Sequence, residues 1–554
     1  MAAVPSDQHL QRLAPWLIGV GGLLLFILGL DHRDFIHLEA RFALFAQTMF
    51  REGTSFFPTL YGEPYPDYPA TGTLLIDLVS LLTGRVTTVT AVLPTAAAAA
   101  MTMVFTYLIG SLHAPRWGLY AVFFELCTYQ YLATARSVSL DPFVALATTG
   151  CFYAAYSAAL LNRPWRISLI PLGWAFGFLM RGPIGLIIPA AVVSVFYLLE
   201  RRWTRFISMS ALALGLLALC MVGLLAAARG QAGPGFADQV LRSEALGRVA
   251  AGTLEHPPVY SYAVNALAAF ALSFPVAVAL VMFGFRALIR PATNEWKLLR
   301  HLGAWTLTVM AGMSIPAKQE IRYLIPVVPA VALMAASLLA VTPPHALLKR
   351  LRRVVLRLML LMPWIGLGLI AAGLTVPSLR MLVPDTARPG AAAAMVLIIA
   401  ILTPALRSRL RDDGERDLAT VSLSVAAFIA VTLLIVEPIA VDLNRVGTFA
   451  DAVRLHRAAG APVAFYKIGP DAADVKFMAA LDDVVRPRFV RAAEEVGAQP
   501  ADVVIIARRD DFDMLPPELK ARTRLLAEGR IARLHCVAFS VLPLKSEGGA
   551  GSFP

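Results

Sequence analysis

The sequence predicts a polytopic α-helical membrane protein with about thirteen spans and a small α/β domain at its C-terminal end. Three observations carry this reading. The chain is 58% hydrophobic with a mean hydropathy of +0.67, and only 16% of its 554 residues are charged, where a soluble protein carries about a quarter. Apolar runs of about 20 residues recur along it, continuous rather than alternating, which excludes a membrane β-barrel. From Asp442 the composition shifts to short β-like runs separated by polar segments.

The candidate spans are 13–30, 88–112, 117–135, 140–161, 165–180, 183–199, 205–228, 258–285, 301–316, 321–341, 354–376, 389–406 and 418–439. The first has no small-residue cleavage site after it and reads as an uncleaved span. The fifth and sixth are short and separated by Arg181, Gly182 and Pro183. The apolar run 71–82 is too short to cross and reads as an interfacial amphipathic helix. Residues 1–440 then form the membrane domain and 441–554 the outer one, with strands expected at 461–468, 501–507 and 531–544. A polar helical pattern runs over 487–496, and the Ser/Gly-rich end, 545–554, reads as disordered.

Basic residues cluster in alternate loops: Arg163 and Arg166; Arg201, Arg202 and Arg205; Arg286, Arg290, Lys297 and Arg300; Lys349, Arg350, Arg352 and Arg353. By the positive-inside rule these loops are cytoplasmic. The N-terminus is then cytoplasmic and the C-terminus outside, with 31–87, 136–139, 229–257, 317–320 and 377–388 facing outward. The same pattern accounts for the net charge of +12 without nucleic acid. The four cysteines, Cys127, Cys151, Cys220 and Cys536, form no disulfide framework and no metal spacing.

Polar residues that topology does not explain gather on the predicted outer side. Loop 31–68 carries Asp34, His37, Glu39, Arg41, Glu63, Tyr65 and Asp67. Arg136 and Asp141 flank the fourth span, and Arg181 lies between the fifth and sixth. Glu244, Arg248, Glu255, His256 and Tyr260 follow, then Lys318, Glu320, Arg322 and Tyr323. Arginine and lysine on this side need a reason to be there. An anionic ligand supplies one, since guanidinium forks and ammonium groups suit phosphate oxygens, while the carboxylates offer a general base. A phosphate-bearing lipid meets both demands. The plainer alternative for any one residue is an interhelical pair or a headgroup anchor. Asp141 also reads as a first-turn helix acid followed by Pro142, and Ala40–Phe50 has the spacing of an amphipathic helix. His32 and His37 with Asp34 and Glu39 lack a recognisable metal spacing.

Glu39-Ala40-Arg41-Phe42 through Met49, then Pro58 through Tyr65, resembles the first outer loop of bacterial polyprenyl-phosphate-dependent glycosyltransferases of the GT-C fold, protein O-mannosyltransferase-like and aminoarabinose transferase-like. Three more segments agree in order. Ala135 to Pro142 resembles the family's second-loop acidic motif, Phe178 to Pro183 its basic-Gly-Pro turn, and Ser314 to Lys318 with Arg322 to Pro326 its Lys and Arg-Tyr-Leu segment. His256 to Tyr260 resembles a fifth segment more weakly. Two places depart from the pattern. Leu38-Glu39 stands where the family often has Asp-Glu, and Pro66-Asp67-Tyr68-Pro69 stands where many relatives have Lys-Pro-Pro.

The resemblance implies an enzyme of the bacterial inner membrane. It would move a sugar from an undecaprenyl-type phosphate carrier to an envelope lipid, glycan or protein on the periplasmic side. It implies Glu39, Asp141 or Asp34 as catalytic acid or base; Arg41, Arg136, Lys318, Arg322 and Tyr323 at the donor phosphate; and Glu63, Tyr65, Asp67, Arg181, His256 and Tyr260 at the substrates. No cofactor is implied, and cationic side chains in place of a metal are expected to stabilise the departing phosphate. The competing reading is a transporter of a lipid-linked precursor. Against it, the charges lie on one side rather than at the midplane, and no inverted repeat is visible.

Overall fold

Helix α1 (Pro5–Ile27) opens the chain. In the computed structural model, residues 5–36, 39–67, 69–246, 258, 260–316, 319–341, 346–376, 388–407, 413–458, 460–483 and 485–543 are described. After α1 come α2 (Glu39–Glu52), a hairpin of β1 (Thr59–Leu60) and β2 (Glu63–Pro64), and α3 (Thr71–Ser80). The membrane helices continue with α4 (Thr88–Ser111), α5 (Pro115–Leu126), α6 (Tyr129–Ala135), α7 (Asp141–Leu160), α8 (Leu169–Arg181), α9 (Pro183–Leu199) and α10 (Trp203–Leu241). Then follow α11 (Ser261–Ala269), α12 (Ser273–Ile289), α13 (Asn294–Met313), α14 (Val328–Ala340), α15 (Ala346–Thr375), α16 (Arg388–Arg407), α17 (Asp413–Val431) and α18 (Glu437–Leu443).

Each predicted span falls on helix, but many are shorter or broken. Among the described residues six helices are long and apolar enough to cross a membrane, or up to seven if the pair α11–α12, bent by 119°, is one span. The predicted span 117–135 is interrupted between α5 and α6, where the Thr128 hydroxyl bonds back to the Phe124 carbonyl and meets the Ser273 hydroxyl at 2.8 Å. α8 and α9 reverse at Gly182, whose φ of +65° is open to glycine at little cost. Their backbones touch at Gly177 and Gly185, where a Cβ on either would run into the other. α4 begins with a reciprocal cap: the Thr90 N–H donates to Thr87 Oγ1 at 3.1 Å, and the Thr87 N–H to Thr90 Oγ1 at 2.8 Å. α14 is the most enclosed helix, buried along nearly its whole length. Trp117 of α5 reaches it through a hydrogen bond to the Leu333 carbonyl at 2.8 Å. The run 71–82 is α3, packed on α2 and α4, with Leu78, Leu81 and Leu82 left exposed.

The C-terminal unit has α19 (Gly447–His456), β3 (Val463–Tyr466), α20 (Ala473–Leu481), β4 (Arg488–Val490), α21 (Ala493–Gly497), β5 (Val504–Arg508), α22 (Arg509–Asp513), α23 (Pro517–Lys520), β6 (Thr523–Ile531) and β7 (Leu534–Val541). Strand order is β4-β3-β5-β7-β6. β3 is parallel to β4 and β5, and the β7 pairings are antiparallel. One expectation is corrected, and one strand was not foreseen. The pattern over 487–496 is a strand before a single helical turn, because Arg488–Val490 completes the sheet edge beside β3. β6 was not expected, since Thr523–Ile531 has no regular polar/apolar alternation, carries Gly529 and is an edge strand with a register shift between Leu525 and Ala527. The expected disorder of 545–554 lies outside the described residues.

One helix joins the two parts. Ala40 and Leu44 of α2 share an apolar cluster with Val463, Phe477 and Met478 of the α/β unit, and Gln47 Nε2 donates to the Ala479 carbonyl at 3.1 Å. The same helix begins at Glu39, so the packing that seats the α/β unit also fixes the entrance of the first loop.

Candidate active site

The residues predicted to act together separate into three groups. The first is a closed brace. Arg33 grips Glu39 with both ends of its guanidinium, Nη1 to Oε2 at 3.2 Å and Nη2 to Oε1 at 3.0 Å. Backbone N–H groups of Ile36 and Val138 donate to the same carboxylate at 2.8 and 3.2 Å. Burial pushes the Glu39 carboxyl up from its ordinary value, and the Arg33 charge opposes it. Arg136 commits all its donors: Nε to Glu437 at 2.9 Å, Nη1 to the Leu25 and Phe26 carbonyls, and Nη2 to the Leu28 carbonyl and to Glu437 at 2.8 Å. This brace ties α1, the first loop, the 136–139 loop and α18 together. It leaves Arg136 no donor for a ligand, which corrects its expected place at a phosphate.

The second group surrounds Asp141. This residue opens α7, followed by Pro142, so its carboxylate lies at the favourable end of the helix dipole. Ser139 Oγ donates to it at 3.1 Å. Arg181 Nε stands 3.5 Å from Oδ1, and Arg322 Nε 3.9 Å from Oδ2. Both guanidiniums lie over the Tyr323 ring, at 5.4 and 5.6 Å, and Arg322 also pairs with Glu320 at 2.6 Å. The Tyr262 hydroxyl donates to the Glu320 carbonyl at 3.2 Å. Asp141 is 5% exposed yet its two ion pairs are long, and the Arg322 Nε has no hydrogen-bond acceptor. Compared with the saturated Glu39, this acid has room for an incoming group.

Three spaces lie around this cluster. A cavity of about 540 Å³ is lined by Glu39, Tyr129, Gln130, Arg136, Glu320, Arg322 and Glu437. A void of about 10 Å³ lies among Asp141, Arg181, Tyr323, Ile184, Ile188 and Met313. The last three also line an apolar groove of about 390 Å³ between α9, α10 and α13. The Asp141 cluster therefore lies between a large, mostly apolar cavity that carries charged side chains, Glu39, Arg136, Glu320, Arg322 and Glu437, and an apolar groove.

The third group holds the α/β unit. The Asp34 carboxylate accepts the N–H groups of Val446 and Gly447 at 2.9 and 2.8 Å, capping α19; this corrects its expectation as a base. Arg41 pairs with Asp471 at 2.7 Å and lies over Tyr65 at 5.6 Å. The Tyr65 hydroxyl bonds Asp471 at 3.2 Å, and the Tyr61 hydroxyl bonds Asp474 at 2.7 Å. Arg41 and Tyr65 are thus turned to the α/β unit and not to the cavities, against expectation. Glu63 lies exposed in β2, and Asp67 and Tyr260 line none of the three spaces. Lys318 and His256 lie outside the described residues.

Sequence reasoning did not single out Arg33, Glu437 or Tyr262. Glu437 had a usable signal, a lone acid within the last apolar run. Arg33 was obscured by its polar neighbours. Among the described residues no group of three or more His, Cys, Asp or Glu side chains is placed to hold a metal ion.

The family model described as dolichyl-phosphate-mannose-protein mannosyltransferase matches residues 67–225. No curated protein matches the chain by sequence. The solved structure of ArnT from Cupriavidus metallidurans bound to undecaprenyl phosphate is 16% identical, covers 94% of this chain and 97% of its own, and superposes with a TM-score of 0.71. Its apo state gives 16%, 95%, 98% and 0.69. The chain is thus a multi-pass helical membrane protein with the ArnT-like GT-C fold, including the small C-terminal sheet.

Proposed function

On this ArnT-like fold, we propose that the chain is a glycosyltransferase that takes a sugar from a polyprenyl phosphate and passes it to an envelope acceptor on the periplasmic side. The observation that carries the proposal is the placement of Asp141 between Arg181 and Arg322, with an apolar groove on one side and, on the other, a cavity that Arg322 itself lines. The prenyl chain lies in the groove between α9, α10 and α13. Its phosphate meets the arginines, and the acceptor enters the cavity of about 540 Å³. Binding of undecaprenyl phosphate by the similar ArnT supports this donor class.

In the reaction the acceptor O–H gives its proton to the Asp141 carboxylate. The acceptor oxygen bonds to the anomeric carbon, and the anomeric C–O bond to phosphate breaks, leaving the electron pair on the polyprenyl phosphate. Arg181 and Arg322 face that growing charge. Fixed cations aimed at a leaving phosphate stabilise the transition state more than the ground state. Lys318, four residues before Arg322 in sequence, is proposed as a third cation. Glu39 supports the geometry from its brace. No metal is needed in this scheme.

The test is to incubate the purified chain in lipid with a panel of undecaprenyl-phosphate sugars and candidate acceptors. Release of undecaprenyl phosphate, followed by mass spectrometry, supports the transferase. Movement of intact donor across a vesicle membrane without release supports the transporter instead.

A further inference from the structure

At the end of α7 opposite Asp141, the chain turns through a 3-10 segment, Pro164–Ser168, into α8. Between α4, α7 and α8 lies an apolar groove of about 490 Å³ that shares no residue with the spaces around Asp141. Among the larger apolar residues that line it, Ala147, Gly150, Ala154 and Gly173 leave a small-residue floor. A Cβ on Gly150 would meet the Phe105 ring at 3.5 Å, an ordinary van der Waals contact, so a longer side chain there would extend into the groove. The walls open sideways, with Leu172 67% and Trp165 60% exposed, as expected where a bilayer covers them.

The groove ends at Arg166. Its guanidinium lies 5.5 Å from the Tyr153 ring centre and 5.8 Å from that of Trp165, and Nη1 reaches the Tyr153 hydroxyl at 3.4 Å. Among the described residues neither Arg166 nor the exposed Arg163 has a carboxylate within ion-pair distance. The guanidinium is therefore oriented by aromatic faces but not neutralised. Among the described residues the buried arginines Arg33, Arg136 and Arg181 are each answered by an acid, whereas Arg166 is half-buried and is not.

We propose that this groove binds an anionic phospholipid of the bilayer. One acyl chain lies along the small-residue floor, the phosphodiester sits on Arg166, and Arg163 adds charge at the headgroup level. Two uncompensated cations select an anionic head over a zwitterionic one, and the tryptophan sits at the interface where its amphipathic ring is favoured. This site is independent of the transferase reading.

The test uses the full-length protein in nanodiscs of phosphatidylethanolamine with phosphatidylglycerol, released into native mass spectrometry. Wild type is expected to retain one phosphatidylglycerol in preference to phosphatidylethanolamine. Arg166→Gln should lower that retention about tenfold, the size of a lost charge-assisted contact. Gly150→Leu, which fills the floor and leaves both arginines, should abolish it. Thermal melting of each variant close to wild type separates lost binding from lost folding. Equal retention of the two lipids, unchanged retention in both variants, or retention of a polyprenyl phosphate in this groove would overturn the proposal.

Discussion

Arg33 and Glu39 form a two-pronged ion pair, 3.2 and 3.0 Å, in which both side chains are almost wholly buried. A buried pair is costly to break from one side because the remaining charge loses its partner. Arg33→Ala is therefore expected to destabilise by roughly 3–5 kcal/mol, with a clear fall in melting temperature in detergent. Glu39→Gln keeps the shape and should cost less. An unchanged melting temperature for Arg33→Ala would show that the brace contributes nothing.

Asp34 tests the reassignment of a sequence candidate. Its carboxylate caps α19, and loss of such a cap costs about 1 kcal/mol. Asp34→Ala should lower stability by that amount and leave turnover within a few-fold of wild type at a temperature where both are folded. A loss of turnover beyond a hundredfold in folded protein would restore Asp34 as a reacting group.

Gly182 joins α8 to α9 at a φ of +65°, and a Cβ there would sit 3.0 Å from a Glu244 carboxylate oxygen. The preceding residue is Arg181. Gly182→Ala should therefore cost about 1–3 kcal/mol in strain and displace Arg181, lowering turnover more than protein level. Normal turnover at normal abundance would mean that the turn tolerates a side chain and does not set the arginine.

The seat of the α/β unit should weaken at alkaline pH. Burial raises the hydroxyls of Tyr61 and Tyr65 above the ordinary value of 10.0; Asp474 adds to this at Tyr61, and Arg41 opposes it at Tyr65. Because the folded state holds these protons more tightly than the unfolded chain, the contribution is present in full below pH 10 and is lost as pH rises beyond it. Proteolysis between α18 and α19 should accelerate above about pH 10. Tyr61→Phe with Tyr65→Phe should flatten that rise. A rise of equal steepness in the double variant would place the pH dependence elsewhere.

The membrane class, the α/β unit and the strands β3, β5 and β7 were legible because hydrophobic runs and short β-rich segments are local signals. The breaks at Cys127–Thr128 and in α11–α12 were not, since a hydroxyl pair such as Thr128 and Ser273 is a contact between distant segments. The same limit governs the site. The sequence gathered Asp141, Arg181 and Arg322 by sidedness alone, and the fold brings them together. Arg136 and Arg41 met the same criterion, yet distant acids, Glu437 and Asp471, engage them. Sidedness cannot tell an arginine that holds the protein together from one that faces a ligand.

The most direct measurement compares Asp141→Asn with Glu39→Gln in the release of undecaprenyl phosphate from its sugar conjugates, at matched folded protein. Asp141→Asn keeps the size and removes the proton acceptor, and it is expected to lower release by about a hundredfold or more. Glu39→Gln should lose far less. Full release by Asp141→Asn, with Glu39→Gln inactive and folded, would contradict the account and return the base to Glu39.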